Sequence, residues 1–276
     1  MNIQTLTKIL TESGIEKNEA KYEIKMLLEH FCGITEKDIL LGKKITEEQF
    51  KILEDKVLLR ISNKIPIQYI IGKTWFYGNY FKVTSDVLIP RDETEILVKK
   101  AIEIIKQENF EDVLDIGTGS GCIACSIAKN TNATVLGIDI SSDALRIALD
   151  NVTALGLNNR AIFRKSDLFR KIREGESFDL IISNPPYIPI GTKLSEEVMQ
   201  EPSLALFAEE NGLFFYKKII EQAPEYLNDN GYLMFELGID ESNAVKSMME
   251  KDFKSIEVIK DLAGINRVIF GVYRGK

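Results

Sequence analysis

Residues 178-FDLIIS-183 form an apolar run that stops on Asn184, Pro185, Pro186 and Tyr187. The two prolines fix φ, remove two backbone donors and bias their predecessors toward extended geometry, so the tetrapeptide offers carbonyl acceptors in a rigid arrangement. Asn184 adds a side-chain acceptor and Tyr187 an aromatic face. A planar NH2 group can donate one hydrogen to the Asn184 side chain and the other to the Pro185 carbonyl, with Tyr187 stacked on its plane. Held in that way, the nitrogen lone pair is drawn out of conjugation. A glutamine amide and an adenine amine satisfy this grip equally.

A second constellation lies upstream, in 115-DIGTGSG-121. Gly117, Gly119 and Gly121, with Thr118 and Ser120 between them, stand between the strand-like 113-VLDI-116 and the helical pattern 121-GCIACSIAKN-130. Glycines there allow a tight turn and a close backbone approach to a ligand. About 20 residues on, Asp139 in 137-GIDI-140 is placed to accept hydrogen bonds from both hydroxyls of a ribose. The spacing D-x-G-x-G-x-G is not the dinucleotide fingerprint G-x-G-x-x-G, which disfavours a nicotinamide oxidoreductase. It suits S-adenosylmethionine (SAM), which has no pyrophosphate to cradle, and Asp115 can help to hold its amino-acid portion. Asp167, in 166-SDLF-169, belongs to the next loop along, where it can accept from an adenine amino group while Leu168 contacts the ring. Asn184 then borders the methyl donor as well as the nitrogen that receives the methyl.

These residues need a scaffold that brings their loops to one edge. From about residue 92, helical and strand patterns alternate, which predicts a parallel sheet with helices on both faces. Open sheets of this kind bind ligands outside the carboxyl ends of their strands, so the glycine loop, Asp139, Asp167 and Asn184 share an edge. Only a few residues separate the last two strand patterns, 255–262 and 267–273. A parallel crossover needs a dozen or more, so that pair is antiparallel and the sheet is mixed. Residues 1–64 carry helical periodicity, with Thr46 and Gln49 spaced as a capping box, and read as a small helical domain. Residues 65–90, aromatic and β-branched, read as strands with a β-hairpin linking it to a catalytic domain over 91–276.

Composition narrows the alternatives. The 276 residues, 45% hydrophobic and 28% charged, describe an ordinary globular chain. A net charge of -7 argues against broad electrostatic binding of nucleic acid. No apolar run approaches the roughly 18 to 20 residues of a membrane span, and three cysteines are too few for a disulfide framework, so a cytoplasmic location is expected. The single histidine, His30, sits in the helical 21-KYEIKMLLEHFCG-33; a histidine-centred triad or a multi-histidine metal site would have to rest on that one residue, which reads as structural or surface. Cys122 and Cys125 form C-x-x-C, but the glycine loop occupies that position and no second pair completes a zinc shell, so they read as small buried apolar residues.

Taken together, 87-VLIPRDETE-95, 115-DIGTGSG-121, GIDI, 184-NPPY-187 and 261-DLAGINRVIFG-271 resemble the bacterial and organellar release factor glutamine methyltransferases. The likeness covers nearly the full length, including the helical region and the WFYG hairpin. It implies an α/β fold: a seven-stranded, Rossmann-like SAM-dependent methyltransferase domain with a mixed sheet, preceded by the helical domain and hairpin. It also implies methyl transfer to the side-chain nitrogen of the glutamine in the Gly-Gly-Gln loop of peptide chain release factors, giving N5-methylglutamine and S-adenosylhomocysteine and bearing on translation termination. Carried over by motif, Gly117 to Gly121 and Asp139 hold SAM, Asp167 and Leu168 border the adenine, and Asn184 to Tyr187 grip the amide. Asp92 stands where a proline often follows the arginine, and 204-LALFAEENGL-213 is less glycine-rich than the family pattern. Arg91 and Glu93, at the seam between hairpin and catalytic domain, read either as an interdomain ion pair or as a contact to substrate or cofactor. The competing readings are a DNA or RNA adenine N6-methyltransferase and a non-catalytic SAM-binding adaptor.

Overall fold

The structure is a computed structural model that describes residues 3–275. Met1, Asn2 and Lys276, the outermost residues of the expected helical and catalytic domains, lie outside the described residues. The chain divides into two compact units, one holding the chain up to Lys73 with Leu194–Gln200, the other holding Thr74–Lys193 and the chain from Glu201 onward.

The first unit is built from α1 (Ile3–Glu12), α2 (Lys17–Cys32), α3 (Glu36–Leu40), α4 (Glu47–Asn63) and α5 (Ile67–Ile71). Leu6, Leu10, Ile24, Leu27, Leu28, Leu53 and Val57 repeat at helical spacing and form its core. The expected capping box starts α4: Gln49 N–H donates to Thr46 Oγ1 at 3.1 Å, and Thr46 N–H donates to Gln49 Oε1 at 3.0 Å. A second box, Thr35 with Asp38, starts the short α3. Residues 66–71, read as strand from their β-branched content, instead form one helical turn. Pro66 pre-sets the entry, Gly72 ends the turn at φ +79°, and Ile67 and Ile71, four apart, both reach the helical core. Within this unit Arg60 forks onto buried Glu23 at 2.9 Å and also meets Glu197, from the returning segment, at 2.7 Å.

The second unit begins, at Thr74, within the hairpin of β1 (Lys73–Phe76) and β2 (Asn79–Lys82). Tyr77 and Gly78 turn it with φ +44° and +79°, the pair of positive values that a two-residue hairpin requires. Phe76 and Phe81 point into the core, and Trp75 and Tyr80 stack edge-on on the exposed face.

The sheet follows in α6 (Thr94–Glu108), β3 (Asp112–Ile116), α7 (Cys122–Asn130), β4 (Thr134–Asp139), α8 (Ser142–Ala154), β5 (Ala161–Lys165) and β6 (Phe178–Ser183). A two-residue strand pair, β7 (Ile188–Pro189) and β8 (Phe207–Ala208), flanks α9 (Ser203–Leu206). Then come α10 (Phe214–Gln222), β9 (Leu227–Glu236), α11 (Ser242–Met249), β10 (Phe253–Lys260) and β11 (Asn266–Tyr273). Strand order is β10-β11-β9-β6-β3-β4-β5, with β11 antiparallel to both neighbours and the others parallel. The mixed sheet expected from the short last connection is therefore present. Val113 packs with α6 and α7 on one face, while Leu114 and Ile116 pack with α10 and α11 on the other. Helix α10 is bounded by Asn211 and Gly212, with φ +56° and +93°, before it and by Pro224 in a 3-10 turn after it.

Candidate active site

The chain order reverses at β3, which has β4 on one side and β6 on the other. This switch point leaves a crevice beyond the carboxyl ends of β3, β4 and β6. A cavity of about 210 Å³ lies there. Of the residues selected from sequence, Gly117, Gly119, Asp139, Asp167, Leu168, Asn184, Pro185 and Pro186 line it; Thr118, Ser120, Gly121 and Tyr187 do not.

Gly117 and Gly119 have φ +74° and +53°, and a Cβ added at Gly117 would meet no protein atom within 4 Å. Backbone conformation, not crowding, requires glycine there, and the bare loop forms one wall of the cavity. Gly119 N–H donates to Asp139 Oδ2 at 2.9 Å, and Ser141 N–H donates to Asp139 Oδ1 at 2.8 Å. Burial raises the Asp139 pKa and these amide donors oppose the rise. Each oxygen keeps a further lone pair, so the carboxylate can still accept from two ligand hydroxyls.

The remaining loop residues make contacts within the protein. Asp115, expected to help hold a ligand, is fully buried away from the cavity; Thr118 Oγ1 donates to it at 2.6 Å, and burial pushes its pKa up to about 7. A Cβ on Gly121 would come within 2.9 Å of Phe163, so this glycine lets the start of α7 pack closely. Ser120 offers its carbonyl to Asn151 Nδ2 at 2.9 Å, and Asn151 also bonds both backbone groups of Lys82. The hairpin and the glycine loop are thereby tied through one buried amide.

Past β5, Asp167 pairs with Arg170 at 3.0 Å, and Leu168 holds a left-handed φ of +48°. That conformation is costly for a branched residue, and Ser166 supports it by donating to the Leu168 carbonyl while accepting from Lys171 N–H. Past β6, Ser183 lies opposite Phe235 of β9, so Asn184 and Glu236 come level at adjacent strand ends. Asn184 Nδ2 donates to Thr94 Oγ1 at 3.3 Å, and Thr94 Oγ1 donates to Glu236 Oε2 at 2.6 Å. Tyr187 OH approaches Glu236 Oε1 at 3.5 Å. Burial pushes the Glu236 pKa up to about 7. Below it, Tyr216 OH donates to the Glu236 carbonyl, and Gly238 N–H donates to Glu241. Gly212 and Gly238 let this framework close on Tyr187: a Cβ on the first would lie 2.3 Å from the Tyr187 carbonyl, and one on the second 2.9 Å from its ring.

The methyltransferase domain family model matches residues 94–268, and the PrmC N-terminal domain model matches residues 3–72. A release factor glutamine methyltransferase of Streptococcus pneumoniae is 36% identical over 98% of this chain and 98% of its own length. The chain belongs to the release factor glutamine methyltransferase family. A relative of the same name from Fusobacterium nucleatum is 38% identical over 83% of this chain and 66% of its own length, so the match spans just under two thirds of that longer protein. Among solved structures, a methyltransferase from Pyrococcus furiosus superposes with a TM-score of 0.53 at 20% identity, covering 84% of this chain and all of that one, which shows a shared fold.

In this member of the release factor glutamine methyltransferase family, several residues at the site carry no motif signal of their own. Glu236 is the charge inside the apolar 232-YLMFELG-238, and Asn151 is an amide in mid-helix. Glu201 is buried, accepts from Ile89 N–H at 3.0 Å and pairs with Arg91, which gives Arg91 a partner on the segment following the Asn184 loop. Cys122 and Cys125 are free and buried, with burial pushing the Cys122 thiol up to about 12. Among the described residues no cluster of three or more His, Cys, Asp or Glu is placed to hold a metal, and no helix is long and apolar enough to cross a membrane.

Proposed function

We propose that this protein transfers a methyl group from SAM to the side-chain nitrogen of the glutamine in the Gly-Gly-Gln loop of peptide chain release factors, in the cytoplasm. The observation that carries this reading is a single cavity lined on one side by Gly117, Gly119 and Asp139 and on another by Asn184 and Pro185. SAM, when bound, supplies an electrophilic methyl on a sulfonium. Asp139 accepts from its ribose hydroxyls, and Leu168 with Asp167 borders its adenine.

Asn184 Oδ1 and the Pro185 carbonyl each accept one N–H of the substrate amide, which twists lone-pair density out of conjugation and fixes its line of attack. The same two oxygens stabilise positive charge as it develops on that nitrogen, and the released proton passes to solvent. No base is required of His30. The helical unit and the exposed Trp75–Tyr80 face serve as contacts for the protein substrate away from the reacting atom, where binding energy can be spent on orientation.

Incubation of the chain with methyl-labelled SAM and a release factor, followed by mass-spectrometric mapping, tests the reading. Label on the Gly-Gly-Gln glutamine supports it. Label on DNA or RNA adenine with none on the release factor would replace it by the adenine reading, and no transfer to either sinks both.

A further inference from the structure

We infer that Thr94 and Glu236 set the orientation of the Asn184 amide, so that its oxygen and not its NH2 group faces the substrate nitrogen. The inference rests on the reading of Asn184 as an acceptor for the substrate amide. An asparagine amide has an acceptor end and a donor end of nearly equal size, and turned the wrong way it would present N–H groups to an incoming NH2. Something outside the amide must decide.

The decision follows from counting protons. The Thr94 hydroxyl has one, and it is donated to Glu236 Oε2 at 2.6 Å, because an ionised carboxylate only accepts. The Thr94 oxygen then has only lone pairs left for its second contact, with Asn184 at 3.3 Å, so the nitrogen end of the amide must face it. The Asn184 oxygen is left for the cavity. Thr94 opens α6 and Glu236 ends β9, and both are buried, so the chain of bonds is held by helix and sheet and not by mobile side chains.

Protonation of Glu236 would reverse the sense of the chain. A neutral carboxyl can donate to Thr94, whose own proton can then turn to Asn184, and the amide flips its NH2 toward the cavity. Burial pushes the Glu236 pKa up to about 7. Glu93 at the entry to α6 raises it further, while Thr94, Arg267 of β11 and Tyr187 lower it; the Cys122 thiol of α7 also faces the carboxyl. Turnover is therefore lost as pH falls through about 7 and is retained above it.

Thr94→Val removes the hydroxyl at constant shape and is expected to lower kcat by about 10- to 100-fold with SAM affinity by calorimetry unchanged. Thr94→Ser, which keeps the hydroxyl, recovers most of the loss. Glu236→Gln cannot ionise and abolishes the acid limb of the kcat profile. The Asn184 side-chain amide NMR signals, identified by their disappearance in Asn184→Asp, read the orientation without turnover. They titrate with a midpoint near pH 7 in the wild type, move in Thr94→Val and stop titrating in Glu236→Gln. Signals indifferent to pH and to Thr94→Val overturn the inference, as do a wild-type kcat in Thr94→Val or a kcat that falls only in step with SAM affinity. A protein that shows the titration yet methylates no glutamine removes the functional reading and leaves the orientation standing.

Discussion

The Gly119 N–H donates to Asp139 Oδ2 at 2.9 Å, making the loop after β3 and the end of β4 one hydrogen-bonded unit. Asp139 also accepts from Ser141 N–H, so its charge organises two backbone segments before any ligand hydroxyl arrives. Asp139→Asn keeps one acceptor but turns an NH2 toward a backbone donor. Charge-assisted bonds of this kind are worth about 1.5 to 3 kcal/mol, which corresponds to a loss of about 10- to 100-fold in SAM affinity. Calorimetric titration of the variant checks it; affinity equal to wild type would remove Asp139 from the ribose site.

What was legible in the sequence depended on whether the signal was local. The glycine loop, Asp139 and Asn184 announce themselves because a tight turn, a strand end and a proline pair each demand particular residue types. The antiparallel end of the sheet was legible from the length of one connection. Glu236 was not, because it comes level with Asn184 only through strand register, with Ser183 opposite Phe235, and Thr94 was not, because it reaches both from the start of α6. Residues 66–71 misled for the reverse reason: β-branched content is a weak prior, and burial of Ile67 and Ile71 on one helical face overrode it. Leu194–Gln200 joins the helical unit through Glu197 and Arg60, a contact 137 residues apart in sequence that no local pattern encodes.

Gly212 is a site where a single methyl group should separate turnover from cofactor binding. Its φ is +93°, and an added Cβ would lie 2.3 Å from the Tyr187 carbonyl and 2.5 Å from Glu241 Oε1. Backbone cannot yield as a flexible side chain can, so Gly212→Ala shifts the Asn184–Tyr187 loop. Overpacking costs about 1 to 3 kcal/mol and the left-handed backbone about another 1 kcal/mol. The expected outcome is a lower urea midpoint and a kcat reduced more than SAM affinity, because on the proposed function the disturbed loop carries the acceptors for the substrate amide. A variant with both unchanged would show that the loop tolerates displacement.

Arg60 and Glu23 are both buried in the helical unit, and burial raises the Glu23 pKa against the lowering effect of Arg60. Removing one partner of such a pair typically costs about 3 to 5 kcal/mol because the other charge is stranded. Arg60→Met is thus expected to lower stability at pH 7 by that order, and Arg60→Met with Glu23→Leu to recover most of it. A carboxyl whose folded pKa lies above its unfolded value, near 4.3, stabilises when protonated and loses that contribution as pH rises. The single variant should therefore gain stability between pH 7 and pH 5, whereas the double variant should not. Urea unfolding at the two pH values, followed by circular dichroism, distinguishes them.

Tyr187 offers a ring and a hydroxyl, and the geometry separates their contributions. The hydroxyl reaches Glu236 Oε1 only at 3.5 Å, the outer limit of a hydrogen bond, and burial keeps it un-ionised by raising its pKa. The ring lies against Gly238, where any side chain would collide with it, so its plane is fixed by contact and not by the hydroxyl. Tyr187→Phe should lower kcat by about threefold or less, in keeping with one weak bond. Tyr187→Ala removes the ring packed against Gly238 and loosens the loop that carries Asn184, so on the proposed function kcat/KM for the release factor should fall about 100-fold. Steady-state kinetics on both variants decide the matter: equal losses would assign the effect to the hydroxyl and its bond to Glu236, and a loss confined to Tyr187→Ala assigns it to the ring.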